Sequence, residues 1–373
     1  MNVLLDGDIT QTKLIEFCAE TEALLSSALK KVDKFSDCKI HTSLDLGFPH
    51  DLIRIAGGFP TGSFVEWKST VPFIPVDTTV NICTGSIFEI TGDINYFNKF
   101  SFDNLLKSLT TSSYIFNFNR GNHFIIIAQS SLTKKYYLLL HSSASEFKKQ
   151  FNGLYPIKGN WFYNDIKTVS NGSRYLRYID GHKAELFAKV AEGIKQYNCI
   201  RHEFIAETLL GANAIVNKVD HYHHYYMPDS SSVMLGSYLA KENDTYPIFT
   251  SPGNPIFIYQ VHKHALNEIS FRNEEYYLVP HGWGKMSKNI DTMKIDLTNN
   301  TFTLNNTELQ IQDDASLRDH DDLSLRNFSV DPMSEDFYFK LIGAKIKGIV
   351  VDRLEQKISY TKHGFKNWQI LNP

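Results

Sequence analysis

A histidine follows the apolar run 276–279 and opens an unusual loop, Pro280-His281-Gly282-Trp283-Gly284-Lys285-Met286-Ser287-Lys288. Glycines let backbone N–H groups come close to a bound anion, and lysines add positive charge. An imidazole placed there can act as a nucleophile or a ligand beside a phosphate; in isolation it reads as an ordinary turn residue. Other histidines also stand at the ends of apolar runs. Asn122-His123 precedes the run 124–128, His141 ends the run 136–140, and His221, His223 and His224 fall in the cluster His-Tyr-His-His-Tyr-Tyr. Imidazoles at strand ends can converge on one ion, and neutral imidazole suits Zn, Mn, Fe or Ni. The bland alternative is a set of capped surface residues and an aromatic face.

The elements that would position these groups follow from periodicity. Leu14, Phe17, Cys18, Thr21, Leu25, Ala28, Leu29 and Val32 recur at helical intervals, so an amphipathic helix is expected over 14–32. The glycine-rich turn Gly57-Gly58-Phe59-Pro60-Thr61-Gly62-Ser63 precedes a strand over 64–67. It lacks the Lys-Ser/Thr ending of a P-loop. Further strands are expected over 86–91, 114–117, 124–128 and 136–140, the last two forming a hairpin. Two helices are expected over 181–200 and 201–216, then strands over 233–239, 257–260 and 276–279. Residues 293–304 read as strand, Asn299-Asn300 turn, strand. Residues 305–330 include a polar, charged stretch expected to be a surface loop, and helix- and strand-like pieces over 337–360 follow it. With no repeat and no long linker, the expectation is a single α+β domain over residues 1–373.

Bulk composition narrows the function classes. At 42% hydrophobic and 13% aromatic residues, the chain can bury a sizeable core and is not a disordered one. A net charge of −3 argues against a uniformly basic coat but leaves room for a local cationic groove. Cys18, Cys38, Cys83 and Cys199 are scattered without a C-x-x-C pair, which reads as reduced thiols. The first 13 residues contain Asp6 and Asp8 and no apolar core, so no signal peptide is expected. No apolar run approaches the ~20 residues that cross a bilayer. The expected setting is cytoplasmic, with no membrane partner.

In order and wording these segments resemble the RtcB family of RNA ligases over about residues 40 to 350. The turn at 57–63 resembles the family's G-x-P-I-G, and Val80-Asn81-Ile82-Cys83-Thr84-Gly85 its V-D-I-G-C-G metal loop. Gly121-Asn122-His123-Phe124 is its GNHF motif intact, and Leu140-His141-Ser142 matches the start of H-S-G-S-R. His224-Tyr225-Tyr226 resembles H-N-Y, and Ser251-Pro252-Gly253-Asn254 resembles I-P-G-S. The loop from His281 to Lys288 resembles H-G-A-G-R-x-M-S-R, and Lys345-Ile346-Lys347-Gly348 the terminal V-K-G.

The resemblance implies β-sheets packed around a central metal and nucleotide cleft with flanking helices. It implies joining of RNA 3′-phosphate or 2′,3′-cyclic phosphate ends to 5′-hydroxyl ends, using GTP and Mn²⁺. His281 would take GMP from GTP as a phosphoramidate, with Lys285 supplying the neighbouring cation. Asn81, His123, His141 and His224 would hold metal. Asn122 would position the phosphate, Pro252, Gly253 and Asn254 would line the nucleotide pocket, and Lys347 would lie against the base.

The departures fall where the chemistry is. Asn81 and Thr84 stand where the family has its metal-loop Asp and Cys, so the loop keeps a thiolate or carboxylate only if Cys83 or Asp77 substitutes. Ser145, Ser237 and Tyr238 replace cations, and Ile126 replaces a Glu that reads guanine. Three readings follow: a working RNA ligase, a homologue that binds RNA or nucleotide without joining ends, and a metal-dependent cyclic-phosphate hydrolase.

Overall fold

A computed structural model describes residues 9–91, 99–110, 117–118, 122–144, 146–147, 150, 153–211, 215–250, 253–262, 268–282, 290–312 and 348–368. In chain order the strands of the first half are β1 (Asp37–Gly47), β2 (Thr61–Lys68), β3 (Phe73–Pro75), β4 (Cys83–Thr91), β5 (Phe124–Ser130), β6 (Tyr136–Ser143), β7 (Lys167–Asn171) and β8 (Arg174–Asp180). The second half adds β9 (Ile215–Tyr226), β10 (Ser232–Leu235), β11 (Ser237–Ala240), β12 (Thr245–Ile248), β13 (Ile256–Val261), β14 (Glu268–Phe271) and β15 (Glu274–Pro280). Then come β16 (Met293–Asp296), β17 (Thr301–Leu304), β18 (Thr307–Gln310), β19 (Gly348–Thr361) and β20 (Gly364–Asn367). The helices are α1 (Ile9–Val32), α2 (Leu52–Ala56), α3 (Lys99–Thr110) and α4 (His182–Leu210). The chain is mixed α+β, as its periodicities predict.

One large antiparallel sheet runs β1-β2-β10-β9-β4-β6-β5-β19-β13-β12, with β20 paired to β19. The expected hairpin forms: β5 pairs β6 from Phe124↔His141 to Gln129↔Tyr136. The face bearing Phe88, Ile125, Ile127, Leu138 and Leu140 is covered by α3 and α4, through Phe102, Leu105, Ile205 and Leu209. On the opposite face a small sheet, β11-β15-β14, brings Tyr238, Tyr277 and Val279 against Leu44, Phe257 and Tyr259. The helix predicted over 14–32 is α1, and Cys18, Leu25, Ala28 and Leu29 bury against Ile40 of β1 and Val65 of β2.

Three expectations are corrected. The two helices expected over 181–216 are one 29-residue helix, α4, capped by Gly211 at φ 59°; residues 215–226 belong to β9. Gly ends the helix because its φ there lies in the left-handed region. The strand expected over 233–239 is split at Gly236, φ 97°, where the chain leaves the large sheet for the small one. Within the loop expected over 305–330, Thr307–Gln310 is strand β18 against β17. Residues from 313 of that loop, and residues 114–116 of the strand expected over 114–117, lie outside the described residues; Asn117, which is described, is not in a strand. No helix among the described residues is long and apolar enough to cross a membrane.

Candidate metal centre

Cys83, His141 and His224 meet on adjacent strands. β4 lies between β6 and β9, and Gly85 pairs with His141 across the β4–β6 ladder. Between β4 and β9 the register slips: Cys83 pairs with Tyr225 but Thr84 with His223, leaving His224 as the extra residue of a bulge. A bulge re-aims its side chain, here toward the neighbouring strand's histidine. Ile82, just before Cys83, sits at φ 45°, a strained value for a β-branched residue. The loop entering β4 is thus twisted so that Cys83 reaches the centre.

The three donors, all buried, lie within 4.8 Å of one another. Cys83 Sγ is 3.3 Å from His141 Nε2, and His141 Nε2 is 3.1 Å from His224 Nε2. The Nδ1–H of His141 donates to the Asn122 carbonyl at 3.1 Å, and that of His224 to the Tyr222 carbonyl at 3.3 Å. Carbonyls only accept, so each Nε2 presents a bare lone pair. The two lone pairs face one another, and the Cys83 thiol can offer a proton to only one. A bound cation relieves that opposition. Two nitrogen ligands each ~2.0–2.1 Å from a tetrahedral ion stand roughly 3.3 Å apart, close to the 3.1 Å between His141 Nε2 and His224 Nε2.

The electrostatics suit ligation. Burial, then the neighbouring His281, hold His141 down to about 3, and the same causes hold His224 well below the ordinary imidazole range. Both rings are therefore neutral and able to coordinate near neutral pH. Burial pushes the Cys83 thiol up to about 12, and a coordinated ion would draw its proton off. One thiolate and two imidazoles with fixed outer hydrogen bonds fit a single divalent transition ion.

His281 follows β15 and stacks on His224, ring centroids 4.5 Å apart and planes 16° from parallel. Its Nδ1–H is held by Asp45 Oδ2 at 3.0 Å and the Gly236 carbonyl at 2.5 Å. Asp45 lies on β1, 1% exposed, and takes hydrogen bonds from Ser43 and Ser237. With Nδ1 occupied, Nε2 is the nitrogen left for chemistry. Phe249 closes one side, its ring 5.2 Å from that of His141 and 5.3 Å from that of Phe124. Gly85 is required beneath it, because a Cβ there would come within 2.3 Å of the Phe249 ring.

Other expected site residues fall elsewhere. His123 is buried beside the triad, its ring 5.9 Å from that of His141. Its Nδ1 bonds the Asn117 carbonyl and its Nε2 the Ser143 hydroxyl, so it braces the centre and is not in the donor set. Asn81 lines a small cavity with Val80, Ala144, Phe147 and Ile194, and its buried Oδ1 has no hydrogen-bond partner among the described residues. Asn122 acts through its carbonyl on His141. Gly253 N–H donates to Gln356 Oε1 at 2.9 Å, and the Asn254 carbonyl accepts from Gln356 Nε2 at 2.6 Å. Pro252, Lys285 and Lys347 lie outside the described residues.

The choice between Cys83 and Asp77 resolves toward Cys83. Asp77 is fully buried and held by the Arg177 guanidinium at 2.5 and 2.9 Å. Asp45 and Phe249 escaped sequence reasoning. A carboxylate between Leu44 and Leu46 in an otherwise apolar stretch was the available signal for Asp45. Neither a protein-family model nor a curated protein matches the chain.

Proposed function

We propose that the protein is a metal-dependent, RtcB-like RNA ligase that joins RNA 3′-phosphate or 2′,3′-cyclic phosphate ends to 5′-hydroxyl ends through a guanylated His281. The observation that carries this reading is His281 itself. Its Nδ1–H is fixed by a buried carboxylate and a carbonyl, its ring stacks on a ligand histidine, and its Nε2 lone pair is left to react. That lone pair forms a P–N bond to the α-phosphorus of GTP as the bond to the β-phosphate oxygen breaks and pyrophosphate leaves. Asp45 then faces the positive charge that builds on the imidazole, as an orienting carboxylate does in other nucleophilic centres. Cys83, His141 and His224 would hold one Mn²⁺, which supplies charge neutralisation at the phosphate when bound. The free thiols Cys18, Cys38, Cys83 and Cys199 accord with a reducing, cytoplasmic setting.

The test is intact-protein mass after incubation with GTP and Mn²⁺, beside ATP and EDTA controls. The expected result is a metal-dependent gain of one GMP, absent in His281→Ala. No adduct with either nucleotide overturns the reading.

A second reading, a nucleotide-independent cyclic-phosphate hydrolase, draws support from the nucleotide side of the cleft. Ile126, at the family's guanine-reading position, is buried among Phe124, Leu139, Phe249 and Ile256, and the Gly253 N–H is already bonded to Gln356. Hydrolysis of a 2′,3′-cyclic phosphate without nucleotide is its signature. An AMP adduct instead would assign the change at Ile126 to base preference.

A further inference from the structure

We infer that the C-terminal hairpin, β19 and β20 with the turn between them, is a platform for single-stranded RNA at the edge of the metal centre. In it Trp368 stacks a base, and Lys362 and Lys366 meet phosphates. The inference rests on RNA being the substrate, as proposed above.

Charge is the first observation. Residues 356–368 carry Lys357, Lys362, His363 and Lys366 and no acidic residue, in a chain of net charge −3. Lys362, His363 and Lys366 are exposed. No carboxylate pairs with the three lysines among the described residues. Such a local basic run on an otherwise acidic chain is an electrostatic footprint for a polyanion.

The second observation is an aromatic ring fixed in advance. Trp368 is half-buried, with its Nε1–H donated to Ser359 Oγ at 2.9 Å. One part of the ring lies against Gly253, where a Cβ would come within 2.9 Å of it. Lys366 Nζ is 5.3 Å from the ring centroid, pairing a cation with the stacking surface. A ring held this way loses little freedom when a base stacks on it.

The third is position. Thr361 pairs with Phe124, so the turn at Lys362-His363 adjoins residues 122–123, where the Asn122 carbonyl holds His141. Ser359, the partner of the Trp368 indole, pairs with Ile126 on the strand that leads into the centre. A strand laid along the hairpin would bring its end to His281 from the side of β5. Bare aromatic faces and lysines discriminate poorly between sequences, so the platform takes single strands with little sequence preference.

The test is fluorescence anisotropy of a labelled oligouridylate with a 3′-phosphate, bound to the full chain over a salt series. Trp368→Ala weakens binding by about five- to a hundredfold, and Trp368→Phe restores most of it. Lys362→Gln with Lys366→Gln lowers the slope of log affinity against log salt by about 1.4 in magnitude. These lysines are exposed, so the pair keeps the test decisive even if Trp368→Ala fails to fold. RNA binding by the wild type that neither set of variants alters overturns the inference and leaves the ligase reading untouched. Loss of binding in the variants, alongside a wild type that forms no nucleotide adduct, keeps the platform and removes the ligase. A wild type that binds no RNA overturns both.

Discussion

His202 offers a titration that isolates one buried group. It lies on α4 with no exposure, its Nδ1 2.7 Å from Ser86 Oγ and its Nε2 2.6 Å from Ser142 Oγ. Burial, followed by the Arg201 charge and then those of His221, His141 and His123, holds it well below the ordinary imidazole range. The folded protein keeps this ring neutral, while the unfolded chain takes up the proton near pH 6.5. Its stabilisation is therefore complete above about pH 6.5 and is lost as the pH falls toward the depressed folded value. Proton uptake by the unfolded state sets an upper limit of about 2 kcal/mol on the loss between pH 7.5 and 5. That is a sizeable share of a typical folding free energy of roughly 5–15 kcal/mol.

His202→Gln retains an amide donor and acceptor for the two serines but does not titrate. Urea unfolding of both proteins at about pH 7.5, 6.5 and 5 gives two curves of stability against pH. Other depressed histidines, His141, His223 and His224, titrate in both proteins and cancel in the difference. The wild type's advantage over the variant should shrink by up to about 2 kcal/mol across that range. Parallel curves would refute the reasoning, because they would mean that His202 takes up no fewer protons in the folded state than in the unfolded one.

Four shorter tests address the centre and its frame. Cys83→Ala should weaken Mn²⁺ or Zn²⁺ binding roughly a hundredfold or more by calorimetry, since it removes the only sulfur donor of the triad. Asp77→Asn should leave metal affinity unchanged yet cost about 1–3 kcal/mol in urea unfolding, because it removes the charge of the buried carboxylate that Arg177 hydrogen-bonds. Gly85→Ala should cost about 1–3 kcal/mol by driving a methyl group into Phe249, and Phe249→Leu should recover part of that loss. Asp45→Asn should slow adduct formation about a hundred- to ten-thousandfold in a mass-spectrometric time course, with metal affinity held.

The sequence revealed residues more readily than register. Helix α1 and the β5–β6 hairpin are marked by local periodicity and form as expected. The place of β19 between β5 and β13 is set by pairings distant in the chain, from Val261↔Gly348 on one side to Thr361↔Phe124 on the other, which no local pattern encodes. The same holds within the site. His141, His224 and His281 stand out at the ends of apolar runs, and they do converge. What brings Cys83 into place is a strained φ at Ile82 and a bulge at His224, both invisible to motif spacing. Ser237, expected only as a lost cation, proves to be a hydrogen-bond donor to Asp45.

The histidines of the centre do different work, and that division bears on how many ions it can hold. His141 and His224 offer lone pairs, His281 is turned by Asp45 to leave one nitrogen free, and His123 has both nitrogens committed to neighbours. A second ion would need His123 to release Ser143, and it would need a carboxylate where Asn81 now faces an apolar cavity. The donors thus favour one cation with a softer thiolate–imidazole set over a pair bridged by hard oxygen ligands. An amide at Asn81 and a working set of histidines are then compatible. One ion asks only for Cys83, His141 and His224, and the nucleophile depends on Asp45 and Gly236 for its orientation.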